Sequence, residues 1–69
     1  MNEIQRLRQN YIDTIKKSGE RAGGIENLSL LLGYSKYYLS RTLLPRAVSG
    51  GVSTDALWKI VEKLIENGL

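Results

Sequence analysis

The feature that most constrains this chain is a glycine set between two short helical stripes. Ile25, Leu28 and Leu32 recur at spacings of three, four and seven, the signature of one face of an α-helix. Gly33 follows, where a helix ends with a residue in the left-handed conformation that only glycine adopts without a Cβ penalty. Beyond Tyr34, Ser35 is a good N-cap for a new helix, predicted over Lys36 to Leu44. Leu39 and Leu43, four apart, turn that helix back onto the first, and Ser29 is the small residue at the close approach. With further helical stripes before and after this pair, a compact all-α domain is the expected fold.

The residues Leu28-Ser29, Leu32-Gly33-Tyr34, Ser35 and Leu39 resemble the helix-turn-helix of the phage repressor and Cro family, the lambda-repressor-like DNA-binding domains. The stretch Gly51-Val52-Ser53-Thr54-Asp55-Ala56-Leu57-Trp58-Lys59-Ile60 is similar to the helix that follows the motif in that family. The resemblance implies a four-helix domain whose second and third helices form the motif, with the third entering the major groove of double-stranded DNA.

Sixty-nine residues make one domain, residues 1–69. A single core of this size rarely supplies more than about 3–5 kcal/mol, so a second subunit or partner would add stability. The chain contains no Cys and no His, which removes disulfides, thiolate metal sites and the commonest general base. Its seven acids are spread over separate elements, with no paired-carboxylate spacing. Neither an enzyme, a metal, a cofactor nor a small-molecule substrate is expected. No stretch reaches the roughly 20 apolar residues of a membrane span, and the N-terminus lacks the apolar core of a signal peptide, so a cytoplasmic setting is expected.

Charge is more telling by position than in total. The net charge is +3, from ten basic and seven acidic residues. Between Asn27 and Thr54 there are three bases, Lys36, Arg41 and Arg46, and no acid, while the rest of the chain balances seven against seven. The excess lies on the third helix and the loop after it, where an anionic partner would dock.

In chain order, a first helix is predicted from Asn2 to Ser18, with Asn2 as its cap, a stripe of Ile4, Leu7, Tyr11, Ile12 and Ile15, and Gly19 as its stop. Arg6 and Arg8 fall off the stripe and read as a solvated face or as phosphate contacts. Glu20 to Gly24 reads as a linker, either a plain loop or a place where the backbone N–H groups of Gly24 and Ile25, helped by Arg21, receive a phosphate. The family's Gln at the start of the second helix is replaced here by Ile25. Leu30 and Leu31 point away from the stripe, either as a wider core under the long loop, as scattered surface residues, or as a protein-binding surface.

On the third helix, setting aside Leu39 and Leu43 leaves Lys36, Tyr37, Ser40 and Arg41 outward, with Ser35 at the N-terminal end and Arg46 beyond. Arg and Lys can bind guanine O6 and N7, Ser can reach base edges or phosphate, and Tyr can offer a hydroxyl to phosphate and a ring to a thymine methyl. Thr42 stands where the family prefers an apolar residue, so the hydrophobic contact is expected to move to Leu43. Leu44 to Gly51 is predicted as a loop because Pro45 opposes helix there. A last helix, capped by Ser53 or Thr54, carries the stripe Leu57, Ile60, Val61, Leu64 and Ile65 and stops at Asn67-Gly68. Trp58 at the stripe's edge either covers the core or anchors another subunit.

The expected function is a sequence-specific DNA-binding transcription regulator of phage Cro or repressor type, working as a homodimer. The alternative is an antirepressor or co-repressor that associates with a phage lysogeny repressor through an apolar surface. Leu30, Leu31, Trp58, Ile65 and Leu69 are the candidate interface residues.

Overall fold

The computed structural model describes residues 2–69, and all its regular structure among them is helical. Helix α1 spans Glu3–Arg21 and α2 spans Ile25–Leu31. A π-helical segment, Tyr38–Leu43, runs directly into α3, Leu44–Ser49, and together they form the third helix. Helix α4 spans Thr54–Glu66. The four helices enclose a core of Ile12, Ile15, Leu28, Leu32, Leu39, Leu43, Ala47, Leu57, Ile60, Val61 and Leu64 in a molecule measuring 32 × 22 × 17 Å.

Helix α1 begins as expected, with a reciprocal cap. The Asn2 side chain accepts from the Gln5 N–H, and the Gln5 side chain accepts from the Asn2 N–H. It does not stop at Gly19 but continues to Arg21. Gly19 serves a different purpose. A Cβ built on it would lie 2.9 Å from Ile25 Cδ1 and 3.2 Å from Ile25 Cα, so glycine is what lets α2 cross α1 closely. The expected linker Glu20 to Gly24 shrinks accordingly, to a turn over residues 22–24.

The third helix departs furthest from expectation. Gly33 takes its left-handed conformation (φ 85°), but Ser35 caps no helix through its hydroxyl, and Lys36 and Tyr37 lie in a turn before the first helical residue. Helix then continues through the expected loop as far as Ser49, past Pro45. Pro45 sits in the first turn of α3, where a missing N–H costs little. The wide π turn ahead of it is closed by the Leu44 N–H bonding to the Leu39 carbonyl. A π turn inserts one residue into the helical register. Leu43, not Thr42, is buried, and Leu39, Leu43 and Ala47, spaced four apart, all face the core. Gly50, at φ 88°, ends the helix in the left-handed conformation.

Helix α4 is capped by Ser53, whose hydroxyl accepts from the Ala56 N–H at 3.1 Å. Thr54 is free for another task. Its hydroxyl accepts from the Arg8 guanidinium at 3.3 Å, while the same guanidinium donates to the Ala47 carbonyl at 3.2 Å. Arg8 is thus a half-buried tie between α1, the end of the third helix and the start of α4, not the solvated residue or phosphate contact expected.

Helices α1 and α4 run side by side in the same direction, with Arg8 beside Thr54, Tyr11 against Trp58 and Ser18 bonded to Leu69. Both apolar stripes overrun the core. On α1 only Ile12 and Ile15 are fully enclosed, Ile4 and Leu7 being exposed, and on α4 Ile65 is exposed while Leu57, Ile60, Val61 and Leu64 are buried. No helix among the described residues is long and apolar enough to cross a membrane.

Candidate nucleic-acid interface

The turn between α2 and the third helix is fixed from inside. Ser29, fully buried, donates its hydroxyl to the Ser35 carbonyl at 2.6 Å, and the Tyr34 N–H donates to the Ser29 carbonyl at 3.0 Å. The Ser35 carbonyl also accepts from the Tyr38 N–H at 3.1 Å. Ser35 therefore holds the start of the third helix through its carbonyl, with its side chain exposed.

That anchoring gathers three of the expected residues at one place. Lys36, Tyr37 and Arg41 are all exposed, with the Arg41 guanidinium 4.3 Å and the Lys36 ammonium 5.4 Å from the centre of the Tyr37 ring. A cation over an exposed aromatic ring gains about 0.5–1 kcal/mol. Ser40 is half-buried beside this cluster. Arg46 does not join it.

Arg46 instead lines a groove of about 410 Å³ between the third helix and α4, with Tyr34, Tyr38, Ser53 and Lys59. The Tyr34 and Tyr38 rings pack at 4.8 Å between centroids. Lys63, one turn beyond Lys59, sits 4.6 Å from the Tyr34 ring and donates to its hydroxyl at 3.3 Å. No acid lines the groove. Tyr34, Lys59 and Lys63 were missed from the sequence. Charge counted along the whole of α4 hid the two lysines, because Asp55, Glu62 and Glu66 share that helix. The spacing of Lys59 and Lys63, four apart on one face, was the available signal.

At the start of α2, two of the three groups considered for a phosphate are engaged within the protein. The Gly24 N–H is spent on the Gly19 carbonyl at 2.8 Å, and Arg21 reaches the other way, to the Leu69 carbonyl at 2.7 Å and the Ser18 hydroxyl at 3.2 Å. Leu69 itself is half-buried against the core. Leu30 and Leu31 are each 53% exposed, so they do not widen the core. Trp58 is 41% exposed and packs against Tyr11, with ring centroids 5.8 Å apart and planes tilted by 40°. Ile65 is exposed on the same side of α4. Comparison with protein-family models, with curated proteins and with solved structures gives no match for this chain.

Proposed function

We propose that the protein is a sequence-specific regulator of transcription that binds double-stranded DNA, of the phage Cro or repressor kind, acting in the cytoplasm on the nucleoid. The observation that carries this reading is the one-signed surface around the third helix. Lys36 and Arg41 converge on Tyr37, Arg46 and Lys59 line the adjoining groove, Lys63 bonds to its Tyr34 wall, and no acid is among the described residues that line it. In this reading the exposed side of Tyr38–Ser49 enters the major groove, led by the turn at Lys36 and Tyr37. Arg41 reads a base edge, Lys36 and Tyr37 contact a base or phosphate beside it, and Arg46, Lys59 and Lys63 follow one backbone strand. Two copies on half-sites about 34 Å apart would occlude polymerase at a promoter.

Selection of bound duplexes from a random pool at low salt, followed by salt titration of the enriched sequence, tests this. An enriched site with a steep salt slope supports it. Binding that ignores sequence at every salt concentration overturns it.

A second reading is favoured by Leu30 and Leu31, two adjacent leucines exposed on α2. Here the protein associates with a phage lysogeny repressor and modulates it. Co-purification with such a repressor, lost on Leu30→Asp with Leu31→Asp and kept on Arg41→Ala, distinguishes the two.

A further inference from the structure

The groove beside Tyr34 is deeper than a DNA strand requires. The third helix packs on α2 and α4 packs on α1, with few close backbone approaches between the third helix and α4 themselves. The gap between them is the groove of about 410 Å³, and it reaches the core, since the buried Leu43 and Ile60 are among its lining residues. A backbone strand lying across Arg46 and Lys59 needs only phosphate contacts at the surface. The volume instead falls within the range of about 300–1,000 Å³ usual for small-molecule pockets, which are mostly apolar with a few placed polar groups.

The lining has two halves. One is aromatic. The Tyr34 and Tyr38 rings, both half-buried, pack 4.8 Å apart between centroids with planes tilted by 36°. Lys63 holds Tyr34 through its ring face and its hydroxyl, so this wall is formed before any ligand arrives. The other half is cationic, supplied by the exposed Arg46 and Lys59. No acid is among the described residues that line the groove, and the third helix has none from Tyr38 to Ser49. On α4, Asp55, Glu62 and Glu66 stand roughly 70–110° round the helix from the middle of the face that carries Ala56, Lys59, Ile60 and Lys63.

We infer that this groove binds a free nucleotide, with the base against the Tyr38 ring and the phosphate at Arg46 and Lys59. Every base has a π-face on which an aromatic side chain can stack, and arginine and lysine are the usual partners of phosphate. Inorganic phosphate would engage the cations and leave the rings and the apolar floor to water. An acidic peptide would engage the cations through its carboxylates and has no planar ring for the tyrosines. A nucleotide is the occupant that uses both halves. Its binding is measured with no DNA present, so this site goes beyond the DNA reading and does not depend on it.

Titration of the isotopically labelled full chain, followed by two-dimensional NMR, is the test. The probes are the adenosine, guanosine, cytidine and uridine monophosphates, with adenosine, inorganic phosphate and a hexaglutamate peptide for comparison. Amide shifts are expected to concentrate at Tyr38, Arg46, Val52, Ala56 and Lys59. At least one nucleotide is expected to bind about tenfold or more tightly than phosphate, adenosine or the peptide. Lys59→Ala and Arg46→Ala, both at exposed positions, are each expected to weaken that nucleotide by about tenfold. Tyr38→Leu, verified as folded by circular dichroism, is expected to lose about as much while keeping the weak affinity for phosphate. Lys17→Ala, exposed on α1, is expected to leave binding unchanged. No nucleotide binding at millimolar concentration overturns the inference, and so does equal affinity for phosphate or for the peptide. Shifts gathered at Lys36, Tyr37 and Arg41 instead, or a nucleotide affinity that survives Lys59→Ala and Arg46→Ala together, overturn it as well.

Discussion

The Arg41 guanidinium lies over the Tyr37 ring, 4.3 Å from its centre, at the exposed start of the third helix. A stacked arginine has fewer rotamers to lose when it meets a base edge, so the ring prepares Arg41 for planar, two-point recognition. Arg41→Ala is expected to cost about 1–3 kcal/mol of specific DNA affinity and to relax the preference at one base position. Tyr37→Ala is expected to lose less affinity, and Arg41→Lys to restore attraction without the preference. Binding measured against a panel of single-base variants of the selected site checks this. A full base preference in Arg41→Ala would remove Arg41 from readout.

Salt dependence separates the two basic clusters. With Lys36, Arg46, Lys59 and Lys63 near phosphate and Arg41 at a base edge, the slope of log affinity on log salt is expected to be roughly −3 to −4 for each protomer. Lys59→Ala and Lys63→Ala are each expected to reduce its magnitude by about 1 while leaving the preferred sequence unaltered. An unchanged slope in both would place the Tyr34–Tyr38 groove off the DNA.

Arg8 carries structure. Its removal strips a charged donor from the Ala47 carbonyl and from the Thr54 hydroxyl. Arg8→Ala is expected to destabilise the fold by about 1–2 kcal/mol, since hydrogen bonds to charged groups are the stronger kind and this one is half-buried. Arg6→Ala, at an exposed position on the same helix, is expected to stay within about 0.5 kcal/mol. Thermal unfolding at low protein concentration separates them, because for a domain of this size 1 kcal/mol moves Tm by about 4–8 °C.

The crossing of α1 and α2 depends on the absent side chain of Gly19. Gly19→Ala places a methyl 2.9 Å from Ile25 Cδ1 and, less avoidably, 3.2 Å from the backbone Cα of Ile25. Alanine's better helix propensity recovers up to about 1 kcal/mol, but overpacking against backbone costs about 1–3 kcal/mol, so net destabilisation is expected. Chemical denaturation compared with Ile25→Ala and with the double variant checks it. If Gly19→Ala is stabilising, the helices have room to part.

Ser29 tests the turn itself. Ser29→Ala leaves the Ser35 carbonyl with the Tyr38 N–H alone and is expected to cost about 1 kcal/mol. The larger effect is expected on DNA binding, because that bond sets where Lys36 and Tyr37 start the third helix. Loss of affinity beyond what the lost stability explains is the expected result, and equal DNA affinity of the folded variant would count against it.

Much of this architecture follows from local pattern. The spacing of Ile25, Leu28 and Leu32, the left-handed Gly33, the Asn2 cap, a cap at Ser53 or Thr54 and the stripe on α4 are short-range preferences, and each is found near where the residues place it, with Ser53 taking the cap and Ile65 left exposed. Four helices, all-α, follow from them. Other features needed the tertiary fold. Whether Gly19 ends a helix or admits a crossing depends on where Ile25 passes. Whether Pro45 breaks the third helix depends on a π turn ahead of it, which is held by the burial of Leu39, Leu43 and Ala47 together. At 100° per residue Arg6 and Arg8 stand roughly 200° apart, with Arg8 between Ile12 and Ile15, but only the distant Ala47 carbonyl and Thr54 hydroxyl show why a guanidinium belongs there. The same is true of the functional surface. The sequence by itself determined that positive charge concentrates between Asn27 and Thr54, because charge along a chain can be counted. Only the tertiary structure decided that Lys59 and Lys63 join that surface beside Tyr34, and that Ile4, Leu7, Trp58 and Ile65 are left outside the core, because both depend on which face each helix turns toward its neighbours.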